Sequence, residues 1–157
     1  MGSTLPLPRI PKLLIDADAL VAGAFSTTGA SHIILKLGEL SILECVAPVQ
    51  VREEAERNLR YKMPDALPLF RVLVSRAITI IADPSPTSVL RFAKQAHPED
   101  VSILTAAALS GCEYLVTFNI RHYYPEADTH MTVISPGKFL QLLRHAVSRL
   151  GSAEGEE

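Results

Sequence analysis

The side chains in this sequence whose types and positions suit chemistry are Asp16, Asp100, a glutamate from the run Arg52-Glu53-Glu54-Ala55-Glu56-Arg57, and the amide of Asn119. Asp16 directly follows Leu13-Leu14-Ile15, which reads as a compact buried strand. An acid at the end of such a strand is costly without a partner, which favours a functional carboxylate over a structural one. Asp18 would share the side of Asp16 if the extended conformation continued. It reads better as the N-cap of a helix beginning Ala19-Leu20-Val21.

On a helical wheel at about 100° per residue, Asp100 shares a stripe with Ile103, Leu104 and Ala107, while Ser102 and Thr105 point away. Asp100 therefore extends the core face, whereas Glu99 is explained as an acid favoured by the positive end of the helix dipole. In the glutamate run the core stripe is Val51, Ala55 and Leu59, and Glu53 points outward. Glu54 and Glu56 border that stripe on opposite flanks, so periodicity lets either approach a cleft. Asn119 closes Thr117-Phe118-Asn119 at a strand end, where its amide oxygen can serve a metal or a turn.

Carboxylates gathered from separate strand and helix ends repel one another unless a cation compensates. Oxygen-only ligands favour Mg²⁺ or Mn²⁺, and such a site activates water and steadies the charge of an in-line attack on a phosphodiester. The five histidines offer no competing zinc signature, since none sits in an HExxH or paired arrangement. His32 and His145 read as surface or packing residues, His97 as a helix-start residue and His130 as a loop residue. His122, near Asn119, reads as structural or substrate-contacting. Cys45 and Cys112 lie in apolar contexts and read as buried reduced thiols.

The elements that must position these groups are spread over 157 residues, 48% apolar and 20% charged with a net charge of -2, which excludes disorder and fits one globular domain. Without a run of roughly 18 apolar residues or a secretory signal, a cytoplasmic protein with no membrane partner is expected. Apolar runs alternate with helical patterns, which predicts an α/β domain whose parallel sheet is covered on both faces. Strands are expected at Leu13 to Ile15, Leu43 to Ala47, Ile78 to Ala82 and Tyr114 to Phe118, with Met131 to Ile134 as a short fifth. Helices are expected from Ser31, as cap, to Leu40, from Pro48 to about Tyr61 and from Pro64 to Arg76. Others follow Asp83-Pro-Ser-Pro as far as Gln95, open at His97-Pro98 and end near Gly111, and run from Pro136 to Leu150. Residues 1–11 read as an extension, 12–150 as the domain and 151–157 as a frayed tail.

LLIDADALV, GASHIILKLGEL, APVQVREEAERNL, PEDVSILTAAALSGCEYLVTFNIRHY and VISPGKFL, in that order, resemble the PIN-domain ribonucleases across nearly all of residues 12 to 142. The likeness is strongest to the VapC-type toxins of type II toxin-antitoxin pairs. It implies a three-layer α/β/α domain with a central, mainly parallel sheet of four or five strands. It also implies Mg²⁺-dependent endoribonuclease activity, with Asp16, Glu54 and Asp100 catalytic and Asp16, Asp100 and Asn119 at the metal. Thr117, Asp18 and Arg121 then support the site or the substrate. RNA and a cognate antitoxin are the implied partners, and a homodimer is left open. Where the family often has Asp-x-Asn this chain has Asp16-Ala17-Asp18, and where many members carry a fourth acid it has Asn119.

Two other classes compete. A PIN-like fold that has lost efficient catalysis would act as an RNA- or protein-binding module, and the basic residues Arg52, Arg57, Arg60 and Lys62 would serve either reading. Asp16-Ala17-Asp18 also looks like the Asp-x-Asp motif of haloacid-dehalogenase-type phosphatases, but Ala19-Leu20 replaces the usual Gly-Thr and no suitable lysine follows Thr117. That lysine is also missing for a receiver-like phospho-acceptor.

Overall fold

The computed structural model describes residues 9–154. Its strands are β1 (Lys12–Ile15), β2 (Glu44–Pro48), β3 (Ile78–Ile81), β4 (Tyr114–Val116) and β5 (Thr132–Ile134). Its helices are α1 (Ala17–Phe25), α2 (Ala30–Glu39), α3 (Val49–Lys62), α4 (Leu67–Ala77), α5 (Pro86–Leu90), α6 (Val101–Leu109) and α7 (Pro136–Glu154). The sheet is parallel throughout, in the order β3-β2-β1-β4-β5.

β1 lies at the centre because it has no polar face to offer solvent: Leu13, Leu14 and Ile15 are all essentially inaccessible. Leu13 pairs with Cys45 on one side and Tyr114 on the other, which sets the register of the whole sheet. Helices α1 to α4 and α7 pack in contact with one another, whereas α5 packs on α6 and α6 on β4. With right-handed crossovers this divides the helices between the two faces, giving a three-layer α/β/α domain.

The strand order reverses between β1 and β4. Ligands of open α/β sheets bind beyond the carboxyl ends of the strands at such a switch point. There the ladder extends by one more bond, from Asp16 N–H to the Val116 carbonyl at 2.9 Å.

Several local expectations are corrected. α1 begins at Ala17, and its capping side chain is Asp16, with Asp18 inside the first turn. α2 is preceded by Gly29 as N-cap, and Ser31 is buried within the helix. β4 stops at Val116: Thr117 N–H still reaches the Ile134 carbonyl at 3.0 Å, and Phe118 N–H turns to Asp18 at 3.1 Å. The helix expected to reach Gln95 ends at Leu90, and α6 begins at Val101 with Asp100 at the N-cap position instead of at His97-Pro98. Thr105 does not point away: it is fully buried, its hydroxyl satisfied by the Val101 carbonyl at 2.7 Å. Gly111 follows the end of α6 at φ +72, where a residue without Cβ is favoured. α7 continues through Gly151 to Glu154, while the rest of the expected frayed tail, 155–157, and positions 1–8 of the expected extension lie outside the described residues.

Candidate functional site

Asp16 is 6% exposed, and its acceptors are almost fully used. Oδ1 accepts from Ala17 N–H at 2.8 Å, while Oδ2 accepts from the hydroxyls of Thr117 at 3.0 Å and Tyr123 at 2.9 Å. A carboxylate has about four acceptor directions, so about one remains, on Oδ1. Burial raises the pKa of Asp16, the bonds from Ala17, Tyr123 and Thr117 oppose that rise, and the charge of Asp100 adds to it. Burial, with the charges of Asp16 and Asp100, likewise pushes the Tyr123 phenol upward, which keeps it a proton donor.

Asp18 stands beside Asp16 across Thr117. Both of its oxygens lie 3.4 Å from Thr117 Oγ1, and the hydroxyl's single proton belongs to the shorter bond to Asp16. Burial first, and then the charge of Asp16, raise the Asp18 pKa, while Phe118 N–H opposes the rise. Thr117 is itself inaccessible and accepts from Asn119 N–H at 3.0 Å. Asn119 is therefore held at the rim by its backbone, with its side chain exposed, and Arg121 follows it at the surface.

Glu54 and Asp100 come from helices on either side of the switch point. Gln50, in the first turn of α3, donates from Nε2 to Ser102 Oγ on α6 at 2.6 Å, which fixes the two helix starts against each other. Partial burial raises the pKa of Glu54, as do the charges of Asp16, Asp100 and Asp18, and Arg57 opposes them. Glu54 is thus the glutamate that faces the aspartates. Glu56 lies 3.6 Å from Arg71 on α4 instead.

Asp100 makes no side-chain cap bond. Its Oδ2 lies 3.0 Å from His122 Nδ1, and His97 stacks on His122 with ring centroids 4.3 Å apart and 18° between planes. His97, Asp100 and His122 together form a group that can hold a metal ion. Sequence spacing concealed this group, since the histidines are brought together by an isolated antiparallel bridge between Ala96 and Tyr123. His97 N–H to the His122 carbonyl and Tyr124 N–H to the Gln95 carbonyl, each at 2.9 Å, reinforce it. The Gln95 side chain, 5% exposed, accepts from Glu126 N–H and Thr129 Oγ1 and pins the following loop. Tyr123 was missed for the same reason, and an aromatic residue within a polar loop is the one signal that marked it.

Among the described residues, no lysine or arginine forms an ion pair with Asp16, Asp18 or Asp100. The cluster lies open at the carboxyl edge of the sheet, whereas a surface cavity of about 340 Å³ beside Gly38, Glu44 and Thr79 lies at the opposite edge. Of the remaining histidines, His32 is buried with Nδ1 2.9 Å from the Gly23 carbonyl, which makes it a packing residue. Cys45 and Cys112 are free and buried, and burial raises each thiol to about 12. No described helix is by itself long and apolar enough to cross a membrane.

No family model matches this chain, and no curated protein sequence does. Among solved structures it is similar to PAE2754 from Pyrobaculum aerophilum, with a TM-score of 0.57 and 22% identity over 85% of this chain and 96% of that one. At that identity the likeness is one of fold, and it extends over the α/β domain that carries the acidic cluster.

Proposed function

We propose that this chain is a PIN-like, Mg²⁺- or Mn²⁺-dependent endoribonuclease, acting as a VapC-type toxin with a cognate antitoxin as its protein partner. The observation that carries this reading is the gathering of Asp16, Asp18, Glu54 and Asp100 within electrostatic reach of one another at the β1/β4 switch point, with no lysine or arginine bonded to the aspartates. Carboxylates gathered without a compensating lysine or arginine on the aspartates fit a hard divalent cation, and Mg²⁺ takes one or two carboxylates alongside water and phosphate. When bound, that cation supplies charge stabilisation for in-line attack on a phosphodiester and lowers the pKa of water.

The chain's own residues do the rest. Asp16, through its remaining Oδ1 direction, Asp100 and the exposed amide of Asn119 hold the cation. Thr117 and Tyr123 fix the orientation of Asp16 by hydroxyl donation, and Asp18 anchors the Phe118 backbone that carries Asn119 into place. Glu54, the most solvent-facing acid of the cluster, orients the attacking water. Arg121 and the basic residues Arg52, Arg57, Arg60 and Lys62 offer contacts to RNA phosphates, which position the strand without reading its sequence. Single-stranded or looped RNA fits an open rim better than a duplex does. The phosphatase reading is disfavoured, because Ala19-Leu20 replaces the usual Gly-Thr and no suitable lysine follows Thr117.

The test is cleavage of a mixed RNA pool with and without Mg²⁺, comparing wild type with Asp16→Asn. Wild type should cut only with the cation present, and the variant should not cut. If metal-loaded wild type cleaves no better than Asp16→Asn, the protein is a PIN-fold binding module.

A further inference from the structure

His97, Asp100 and His122 bring two imidazoles to one carboxylate, with one ligand atom from each within 4.8 Å of the others. We propose that they form a second metal site, selective for a borderline divalent cation such as Zn²⁺, which shares Asp100 with the acidic cleft. Imidazole nitrogen suits zinc, cobalt and nickel, whereas Mg²⁺ prefers an all-oxygen shell.

The backbone that carries the three side chains is fixed. His97 N–H donates to the His122 carbonyl at 2.9 Å, and Asp100 N–H donates to the His97 carbonyl at 2.8 Å. The three residues are all half-buried, within reach of an ion from solvent. His122 Nδ1 and Asp100 Oδ2 lie 3.0 Å apart, a separation that two ligands of one ion span once the ion takes the place of the proton between them.

Loading requires one movement. In a nearly parallel stack the nitrogen lone pairs run side by side and cannot converge on one ion, so His97 must turn out of its stack on His122. A tilted contact with Tyr124, at 6.2 Å between centroids, is the other ring contact of His97, so the turn disrupts no packed core. Three protein donors leave a fourth position for water or for a substrate oxygen, as in catalytic zinc sites and unlike closed structural ones. This inference stands on the three side chains and does not require the nuclease reading.

Co²⁺ is the probe, since its visible absorption reports nitrogen ligation and coordination number. Full-length wild type, stripped of metal, should bind one Co²⁺ with a tetrahedral-type spectrum, displaced by Zn²⁺ and retained in excess Mg²⁺. His97→Ala and His122→Ala should each weaken binding by at least about tenfold, while Asp16→Asn and His130→Ala should bind as wild type does. Thermal melts of every variant establish that each is folded. Absence of the band in wild type, wild-type binding in both His97→Ala and His122→Ala, or displacement by Mg²⁺ would each overturn the site. Loss in Asp16→Asn alone would place the ion in the oxygen cluster and also overturn it. RNA cleavage is scored separately, so failure here leaves the nuclease test intact.

Discussion

Tyr123 Oη donates to Asp16 Oδ2 at 2.9 Å across 107 positions of sequence, inside a region where both side chains are almost closed to solvent. It is one of two hydroxyls that restrain an acid whose burial favours protonation. Tyr123→Phe removes it without changing shape. A hydrogen bond to a charged group contributes about 1.5–3 kcal/mol, and about 2–4 °C of Tm accompanies each kcal/mol in a domain of this size. The variant should therefore melt several degrees lower than wild type in metal-free buffer at neutral pH. An unchanged Tm would show that the bond contributes nothing to the fold.

Asp16 also caps α1 through Oδ1, which separates two substitutions often treated as equivalent. Asparagine keeps a capping oxygen, whereas alanine loses it at a cost of about 1 kcal/mol. Without metal, Asp16→Asn should be as stable as wild type or more so, because it relieves repulsion with Asp18, Glu54 and Asp100. Asp16→Ala should be less stable than Asp16→Asn. Both should lose at least about a hundredfold in Mg²⁺-dependent RNA cleavage, and retention of cleavage in the well-folded Asn variant would remove Asp16 from the chemistry.

The pH dependence follows from the shared direction of the shifts. Asp16, Asp18 and Glu54 all have folded pKa values raised above their ordinary values of 3.8, 3.8 and 4.5. The folded state therefore binds more protons than the unfolded one, and stability falls as pH rises from those ordinary values through the raised ones. In chelator, wild type should lose stability relative to Asp16→Asn as the pH is taken from about 4 to 7, and the difference should shrink when Mg²⁺ is added. Denaturant melts at each pH measure it. A gap that widens in the opposite direction would mean that the acids are ionised and well solvated in the fold.

Mg²⁺ binding without RNA should be weak, since Asp16 has about one acceptor direction left and the shell must be completed by water. Calorimetric titration should detect it in wild type and lose it in Asp16→Asn and Asp100→Asn. Equal affinity in both variants would exclude these two residues as ligands.

How much of this was legible depended on sequence distance. The unbroken Leu13-Leu14-Ile15 run reads as a strand buried on both faces, and it carried Asp16 to the sheet edge. Position on a wheel led to Asp100 even though α6 is apolar on nearly every side, because the neighbouring acid, Glu99, falls off that stripe and is exposed in the turn before α6. The choice of Asp18 over Asp16 as the cap of α1 failed because the two differ only in whether the chain turns one residue earlier. That turn is decided by the Asp16 N–H bond to Val116, a contact made 100 residues away. Glu54 could not be separated from Glu56 by periodicity, and what separates them is tertiary: Arg71 takes one and the aspartates face the other. The His97–His122 pair depends on a two-residue bridge between irregular segments, for which no periodic pattern exists.

The central place of β1 also sets an order of events during synthesis. Its neighbour β2 follows after α1 and α2, but its other neighbour, β4, is not made until Tyr114–Val116. Until then one edge of β1 presents unpaired backbone groups beside an apolar face, a surface prone to non-native pairing and dependent on slow, long-range closure. Asp16 over the same period lacks Val116, Thr117 and Tyr123, every distant partner that holds it. A chain cut short before β4 would thus carry Asp16, Glu54 and Asp100 without assembling a site from them, and activity of any kind at this edge arrives only with the last third of the polypeptide.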